Sequence, residues 1–250
     1  MNPKSKILAH RGWSAKYPEN TRLAFRKALE LGIDGLEFDV QLTADEVPVV
    51  IHDQTINRIT NGKGEVSKMK YEDLERFRVG AKGKAIPIQH IPSLQDVLDD
   101  AYTILPDGLY NIELKVYNAH WRALVDHVLS VVNQHALKDN VLYSSFHHGA
   151  LSYLKSCCSN AKIGLLYDDD IVDPWYPAKQ LNAYSVHLDY RFTNADMVFN
   201  CHQHGVEVAV WTVDRPMSLR RCFKIGTDIV ISNKVKAAKD VRETTILGAM

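Results

Sequence analysis

The sequence lacks any long apolar run, and no segment approaches the roughly 18 apolar residues that a membrane-spanning helix needs. Its first apolar stretch, residues 7–9, is also too short for the core of a secretory signal peptide. Cysteine is scarce, with four in 250 residues, and the spacing matches neither a zinc site nor a secreted disulfide framework. We therefore predict a cytoplasmic protein without obligatory membrane contact.

A charge excess of either sign is also missing. Lys and Arg together number 30, as do Asp and Glu, so the formal net charge is zero. This balance argues against nucleic-acid binding, which needs a basic excess or stripe. The 46% hydrophobic content excludes a disordered chain. Because no low-complexity linker or short repeat divides the sequence, we predict a single domain over residues 1–250.

What the sequence does contain is an alternation of short apolar strands and helical patterns. The nine strand candidates are residues 7–9, 35–42, 48–51, 109–114, 141–145, 163–167, 184–188, 206–211 and 228–231. Most are apolar throughout, as is typical of strands buried on both faces of a parallel sheet. The alternation therefore predicts an α/β protein.

Start and stop signals mark several of the intervening helices. Asn20 is predicted to cap the first helix, and Ser93 with Asp96 resembles a capping box. Asp214 and Pro216 are predicted to open a late helix, which Gly226 closes.

A closed (β/α)8 TIM barrel has eight parallel strands, one fewer than the nine candidates. Only residues 43–47 separate the second and third candidates, whereas a parallel crossover needs about a dozen residues. The third strand is therefore predicted to run antiparallel to the second and to begin a small insertion, at about residues 44–90, with a polar helix at 71–77. A doubly wound open sheet is the alternative, but the Gly-rich first turn of the Rossmann type is missing.

Carboxylates gather where the early strands end, which is where a barrel places its active site. Alternate residues of a strand share a face, so Glu37 and Asp39 are predicted to point the same way, as are Glu113 and Lys115. Neighbouring carboxylates resist ionisation unless a cation neutralises them. Three oxygen ligands without cysteine favour a divalent Mg²⁺ or Ca²⁺ ion. The alternative is a set of carboxylates paired with Lys115 and Arg11.

Two histidines, His10 and His52, each follow an apolar strand. Histidine titrates near neutrality, so the pair is suited to general acid and base catalysis, although either is also compatible with a structural role. Asp53 either orients an imidazole or caps a turn. Arg11 and Lys115 supply fixed positive charge, and arginine suits bidentate contact with phosphate. Together with a metal ion, these residues favour phosphoryl chemistry.

Other candidates carry weaker signals. Residues 201–204 contain ligand types, but a helix would splay them, so a surface helix end is favoured. His147 and His148 are predicted to open a helix rather than to react. Trp211 is predicted either to line the pocket or to lie buried beside the barrel. The vicinal cysteines at 157–158 are predicted to be reduced and structural.

The ordered motifs resemble the glycerophosphodiester phosphodiesterase family, and the likeness spans nearly the whole chain. The matching segments are HRG at 10–12, PENT at 18–21, EFDVQLT at 37–43, VVIHD at 49–53, NGKG at 61–64, IPSL at 91–94, ELK at 113–115, SSF at 144–146 and WTV at 211–213. Two positions depart from the family pattern. Ser232-Asn233 stands where members often carry Thr-Asp, and Ile59 replaces a usual Thr after Arg58. We expect only peripheral contacts to differ.

The resemblance implies a (β/α)8 barrel with a small insertion after strand two. It implies hydrolysis of glycerophosphodiesters to sn-glycerol 3-phosphate and an alcohol such as choline or ethanolamine. It also implies a divalent cation on Glu37, Asp39 and Glu113, with His10 and His52 as the acid/base pair. The residues predicted to contact the substrate are Arg11, Lys115, Phe146 and Trp211.

Two other functions stay open at this point. A lysophospholipase D would act on a glycerophosphodiester that still carries an acyl chain, and it would need an apolar mouth that no stretch of the sequence compels. A barrel that only binds a phosphorylated metabolite would need cations but no acid/base pair. The sequence makes no prediction of the oligomeric state.

Overall fold

The computed structural model describes residues 5–80 and 87–247, with side chains as far as residue 245. Eight parallel strands form a closed barrel, because β1 pairs with both β2 and β9, and β3 lies antiparallel at the edge of β2. The strands are β1 Lys6–His10, β2 Gly35–Leu42, β3 Pro48–Val50, β4 Leu109–Leu114, β5 Val141–Ser145, β6 Lys162–Tyr167, β7 Ser185–Asp189, β8 Glu207–Trp211 and β9 Ile229–Ser232. The predicted TIM barrel is confirmed, and the open-sheet alternative is wrong.

A helix follows every strand of the barrel. The helices are α1 Arg22–Leu29, α2 Tyr71–Leu74, α3 Leu94–Ile104, α4 Trp121–Gln134, α5 His148–Cys157, α6 Trp175–Gln180, α7 Ala195–Gln203, α8 Pro216–Ile225 and α9 Val235–Leu247. None of the helices in the described part of the chain is both long and apolar enough to cross a bilayer.

The insertion begins with β3, whose Val50 pairs with Val40 of β2. It builds a small apolar core of its own from Val49, Ile51, Ile56, Val66, Leu74, Val79 and Ile91. Ser93 and Asp96 form the predicted capping box where α3 resumes the barrel. The polar helix is shorter than the predicted 71–77, since only α2 is helical there. Residues 81–86 of the predicted insertion lie outside the described residues.

The predictions that Asn20 and Asp214 cap helices are wrong, because both side chains form hydrogen bonds at the mouth of the barrel instead. Thr21, not Asn20, caps α1, with its hydroxyl accepting a hydrogen bond from the backbone N–H of Ala24. Pro216 begins α8 as predicted, but Asp214 does not cap this helix, since its carboxylate accepts hydrogen bonds from Ser232 and Asn233. Gly226 closes α8 as predicted, in the left-handed conformation that glycine adopts without strain.

The barrel interior is divided into an apolar half and a polar half. The apolar half is filled by Leu8, Leu109, Leu142, Ala209, Ile229 and Ile231. Along β4, the inward positions change from Leu109 to Asn111, Glu113 and Lys115 toward the carboxyl end. Outward-facing side chains pack against the helices in the main core. Buried polar groups are thus concentrated at one mouth of the barrel, which is where function is expected in this fold.

Candidate active site

Three carboxylates meet at this mouth. Glu37 and Asp39 lie on β2, and the register of β4 places Glu113 directly beside Asp39. All three are buried, and one ligand oxygen from each lies within 4.8 Å of those of the others. The structure therefore brings together the carboxylates that strand alternation predicts to share a face.

Two basic side chains are interleaved with the carboxylates. Lys115 Nζ lies 2.5 Å from Glu113 Oε1 and 3.1 Å from Asp39 Oδ1. Arg11 Nε lies 3.1 Å from Asp39 Oδ2, while its Nη1 is 2.9 Å from Glu19 Oε1. The ion pairing that was the alternative interpretation is thus present. Three carboxylates therefore face only two cations, and one of these cations, Arg11, also pairs with Glu19.

This imbalance shifts the pKa values of the carboxyl groups in opposite directions. Burial and the charge of Asp39 raise the pKa of Glu37, and burial likewise raises that of Glu113. Burial opposes ionisation of Asp39 too, but Lys115 and Arg11 lower its pKa below the usual value. The cluster therefore retains a proton near neutral pH, unless a further cation stabilises all three charges.

The cluster has the properties of a divalent cation site. Its donors are carboxylate oxygens alone, which hard cations such as Mg²⁺ and Ca²⁺ prefer. Asp39 Oδ1 is buried, and although it is ion-paired with Lys115 Nζ at 3.1 Å, it forms no contact of hydrogen-bond geometry within the described residues. Glu37, Asp39 and Glu113 form the one cluster of potential metal ligands found among the described residues. The residues present therefore fit such an ion.

His10 lies beside this cluster at the end of β1. Its Nδ1 is 2.7 Å from Oδ1 of Asn233, and its Nε2 is 3.9 Å from Oε2 of Glu37. Burial and the nearby Arg11 lower the pKa of the imidazole. The expectation that the departure at Asn233 affects only peripheral contacts is wrong, since barrel closure sets β9 beside β1 and brings this side chain onto His10.

His52 comes from the insertion and faces the same cavity. Its Nδ1 is 2.8 Å from Oδ1 of Asp53, and the Asp53 carboxylate is held in turn by Arg58 at 2.6 Å. Burial lowers the pKa of this imidazole as well. The backbone carbonyl of His52 accepts a hydrogen bond from the hydroxyl of Tyr117. Asp53 thus contacts the imidazole of His52 directly, as its predicted role of orienting an imidazole requires.

The cavity between these groups has a volume of about 240 Å³. Phe146 and Trp211 form one wall, with ring centroids 5.7 Å apart in an edge-to-face arrangement. Both aromatic residues that were predicted to contact the substrate therefore line the cavity, and their role in binding stays a prediction. Asn111 and His187 line it too, and each has a buried polar atom (Oδ1 and Nδ1, respectively) without a hydrogen-bond partner in the described part of the chain.

Several residues at the site were not predicted from the sequence to belong to it. Asn20 donates a hydrogen bond of 2.8 Å to Oδ2 of Asp39, and it lies in the matched segment at 18–21. Asn111 precedes Glu113 by two positions, so strand alternation was a usable signal for it. His187 gave no comparable signal, and Asn233 drew notice only as a departure from the family pattern, because the neighbours of both residues are set by barrel closure.

The weaker candidates lie away from this site or serve local structure. Residues 201–204 end α7, with Cys201 buried and His202 bonded to Asp228. His147 caps α5 by accepting a hydrogen bond from the N–H of Ala150, as predicted. All four cysteines are free thiols, including the two at 157–158.

Comparison with known proteins agrees with this geometry. The model of the glycerophosphoryl diester phosphodiesterase family matches residues 10–237. The chain belongs to this family. It is 38% identical over 231 residues to a glycerophosphodiester phosphodiesterase of Caldanaerobacter subterraneus, covering 92% of this chain and 94% of the relative. The predicted family and its class of enzyme, a phosphodiester hydrolase, are thus confirmed.

Solved structures show the same fold. A phosphodiesterase from Oleispira antarctica, determined in complex with the product sn-glycerol-3-phosphate, superposes with a TM-score of 0.90 at 25% identity, covering 96% of this chain and 97% of that one. A glycerophosphodiester phosphodiesterase from Thermotoga maritima gives a TM-score of 0.77 at 28% identity, covering 95% and 98% of the two chains.

The raised pKa of Glu37 predicts how stability depends on pH in the metal-free protein. An unfolded glutamate ionises near 4.5, whereas this one holds its proton to about pH 8, so its contribution to stability is lost as the pH rises between those values. We expect the wild type to lose at least about 2 kcal/mol relative to Glu37→Gln between pH 5 and 8, measured by urea unfolding in chelator. The exposed Glu72→Gln is the control. Parallel pH curves for wild type and Glu37→Gln would contradict the prediction.

Proposed function

We propose that this chain hydrolyses glycerophosphodiesters to sn-glycerol 3-phosphate and an alcohol. The observation that carries the proposal is the pair of oriented histidines, His10 and His52, which line one cavity with the acidic cluster. A barrel that only binds a phosphorylated metabolite has no need of two imidazoles, each held at Nδ1 by an oxygen acceptor. A glycerophosphodiester substrate is also consistent with the product bound in the Oleispira antarctica relative.

We further propose that Glu37, Asp39 and Glu113 hold a divalent ion, Mg²⁺ or Ca²⁺. Support comes from the burial of the three carboxylates, the oxygen-only donor set and the shortage of positive charge around them. When bound, such an ion supplies positive charge that stabilises the phosphodiester oxygens as the transition state forms.

Arg11 and Lys115 are the groups proposed to contact the phosphodiester. Both line the cavity, and both now share the Asp39 carboxylate. Their fixed charges suit the binding of a phosphate anion, and the planar guanidinium of Arg11 suits bidentate contact with two of its oxygens.

The proton transfers are assigned to the Nε2 atoms of His10 and His52. Each Nδ1 is engaged, by Asn233 or by Asp53, so the opposite nitrogen is the one available to the substrate. One imidazole takes the proton of the nucleophile, and the other protonates the departing alkoxide. Water and the glycerol 2-hydroxyl, which would form a cyclic phosphate, are both compatible nucleophiles.

The glycerol moiety is proposed to lie against Phe146 and Trp211. Its carbon face is apolar and its hydroxyls are polar, and the cavity offers both surfaces. The aromatic wall suits the carbons, while the unpaired polar atoms of Asn111 and His187 suit the hydroxyls. A site that leaves buried polar atoms unpaired discriminates strongly against a substrate without the matching hydroxyl.

A lysophospholipase D activity is the second candidate, and exposed apolar residues around the mouth favour it. Phe146, Val172, Phe192 and Met217 are all exposed, at 44%, 84%, 40% and 82%, on or next to the loops that follow β5, β6, β7 and β8. Such residues at the active-site face suit contact with an acyl chain.

This second candidate predicts how rim substitutions act on two substrates. Met217→Asp should lower kcat/KM for lysophosphatidylcholine at least about fivefold through lost apolar contact, with little change for glycerophosphocholine. Phe199→Asp, at an exposed site on the flank of α7, is the control. Equal effects on both substrates, or no turnover of the acylated one, would rule the activity out.

The main proposal is tested by an assay for released glycerol 3-phosphate. Glycerophosphocholine and glycerophosphoethanolamine are offered to protein stripped with chelator and then resupplied with Mg²⁺ or Ca²⁺. We expect no detectable turnover in excess chelator and recovery with one of the ions. Full activity in chelator would remove the metal from the proposal, and absence of turnover with every ion would refute the function.

The histidine roles predict the effect of removing either ring. His10→Ala and His52→Ala should each lower kcat by about 10²–10⁴, because each loses one proton-transfer group. His127→Ala is the matched control and should keep wild-type turnover, because this ring pairs with Glu46 and neither residue lines the cavity. Near-normal kcat in either of the first two variants would exclude that histidine from catalysis.

A further inference from the structure

Asn233 is the first residue after β9, and it reaches the imidazole of His10 on β1. The two strands are neighbours in the barrel, with Ala9 paired to Ser232. Oδ1 of Asn233 lies 2.7 Å from Nδ1 of His10. This contact joins residues 223 positions apart, so it exists only because the barrel closes.

The orientation of the Asn233 amide is determined by Asp214. Nδ2 of Asn233 donates to Asp214 Oδ2 at 2.8 Å, and the backbone N–H of Asn233 donates to Oδ1 of the same carboxylate at 2.9 Å. The Ser232 hydroxyl donates to that Oδ1 as well, at 3.0 Å. A flipped amide would set its oxygen 2.8 Å from a carboxylate oxygen that has no proton to give, so the amide oxygen must face His10.

An amide oxygen only accepts hydrogen bonds, and this determines which ring nitrogen of His10 carries the proton. Nδ1 must donate to Asn233, so in the neutral ring the lone pair lies on Nε2. That atom is on the side of the cavity, 3.9 Å from Oε2 of Glu37. Ser14 does not alter this pattern, since its single hydroxyl proton is shared between the carbonyl of His10 and Oδ1 of Asn233, both at 2.7 Å.

We propose that Asn233 is a positioning residue, which holds His10 with its proton on Nδ1 and its Nε2 lone pair toward the substrate, and that Asp214 fixes Asn233 in turn. The inference rests on the proposed function for its kinetic consequences. His52 is positioned differently, because its Nδ1 meets the carboxylate of Asp53 rather than a neutral amide. The two imidazoles of the site are therefore held by groups of different charge.

The first test is kinetic, on the metal-loaded enzyme with glycerophosphocholine. Asn233→Ala should lower kcat about 10–100-fold with a much smaller change in KM, because substrate contacts stay while the ring loses its orientation. Asn140→Ala is the matched control. It removes an asparagine whose side-chain amide donates a hydrogen bond to the carbonyl of Gly108, at the opposite end of the barrel. It should leave kcat unchanged, and thermal unfolding of both variants separates lost activity from lost folding.

The second test exchanges the two side chains. Asn233→Asp alone sets two carboxylates against each other and should also lower kcat. The double variant Asp214→Asn with Asn233→Asp restores one donor amide and one acceptor carboxylate, and it should recover kcat to within about fivefold of wild type. A double variant no better than the worse single variant would contradict the proposal.

The third test reads the tautomer directly and needs no substrate. Ring nitrogen-15 spectra at about pH 8, with the His10 signals assigned by their loss in His10→Gln, should place the proton on Nδ1 in the wild type and shift it toward Nε2 in Asn233→Ala. Protonation on Nε2 in the wild type would overturn the inference, as would an Asn233→Ala kcat within about threefold of wild type. A wild type that releases no glycerol 3-phosphate would instead contradict the proposed function.

Discussion

The mutual repulsion of three buried carboxylates is the constraint around which the rest of this barrel is organised. Glu37, Asp39 and Glu113 occupy one small volume with little access to water. Lys115 and Arg11 offset part of that charge but not all of it. Burying such groups is tolerated only when each charge is compensated, so the cluster must either retain a proton or take up a further cation. The same shortage of positive charge suits the cluster to the divalent cation proposed above, whose charge would in turn favour a phosphodiester anion.

Two features of the fold, strand alternation and strand register, determine where these charges lie. Strand alternation aims Glu37 and Asp39 into the barrel, and the register of β2 with β4 sets Glu113 beside them. Below them the interior is lined largely by apolar side chains, so the three carboxylates lie at one mouth. The two histidines proposed as the acid/base pair come from different parts of the fold, since His10 ends a barrel strand whereas His52 follows the antiparallel strand of the insertion. The insertion therefore contributes to the site as well as to the surface.

Most of the fold and the central site residues could be predicted from local patterns. The short 43–47 connection was enough to identify the antiparallel strand, and alternation was enough to group the carboxylates. Asn20 and Asp214 were assigned to helix caps because both residue types favour such positions. Each instead bonds to a distant polar group, Asp39 or Asn233. Such choices depend on which partners barrel closure supplies, and no window of sequence contains that information.

Direct titration of the metal-free protein with Mg²⁺ and Ca²⁺ tests most sharply whether the carboxylate cluster is a cation site. Calorimetry near pH 7 should detect one ion per chain with release of up to about one proton, because the proton retained by the cluster must leave when the ion binds. Glu113→Gln should weaken the affinity at least about tenfold. An absence of binding, or equal affinity in wild type and Glu113→Gln, would contradict the assignment of this cluster as a cation site.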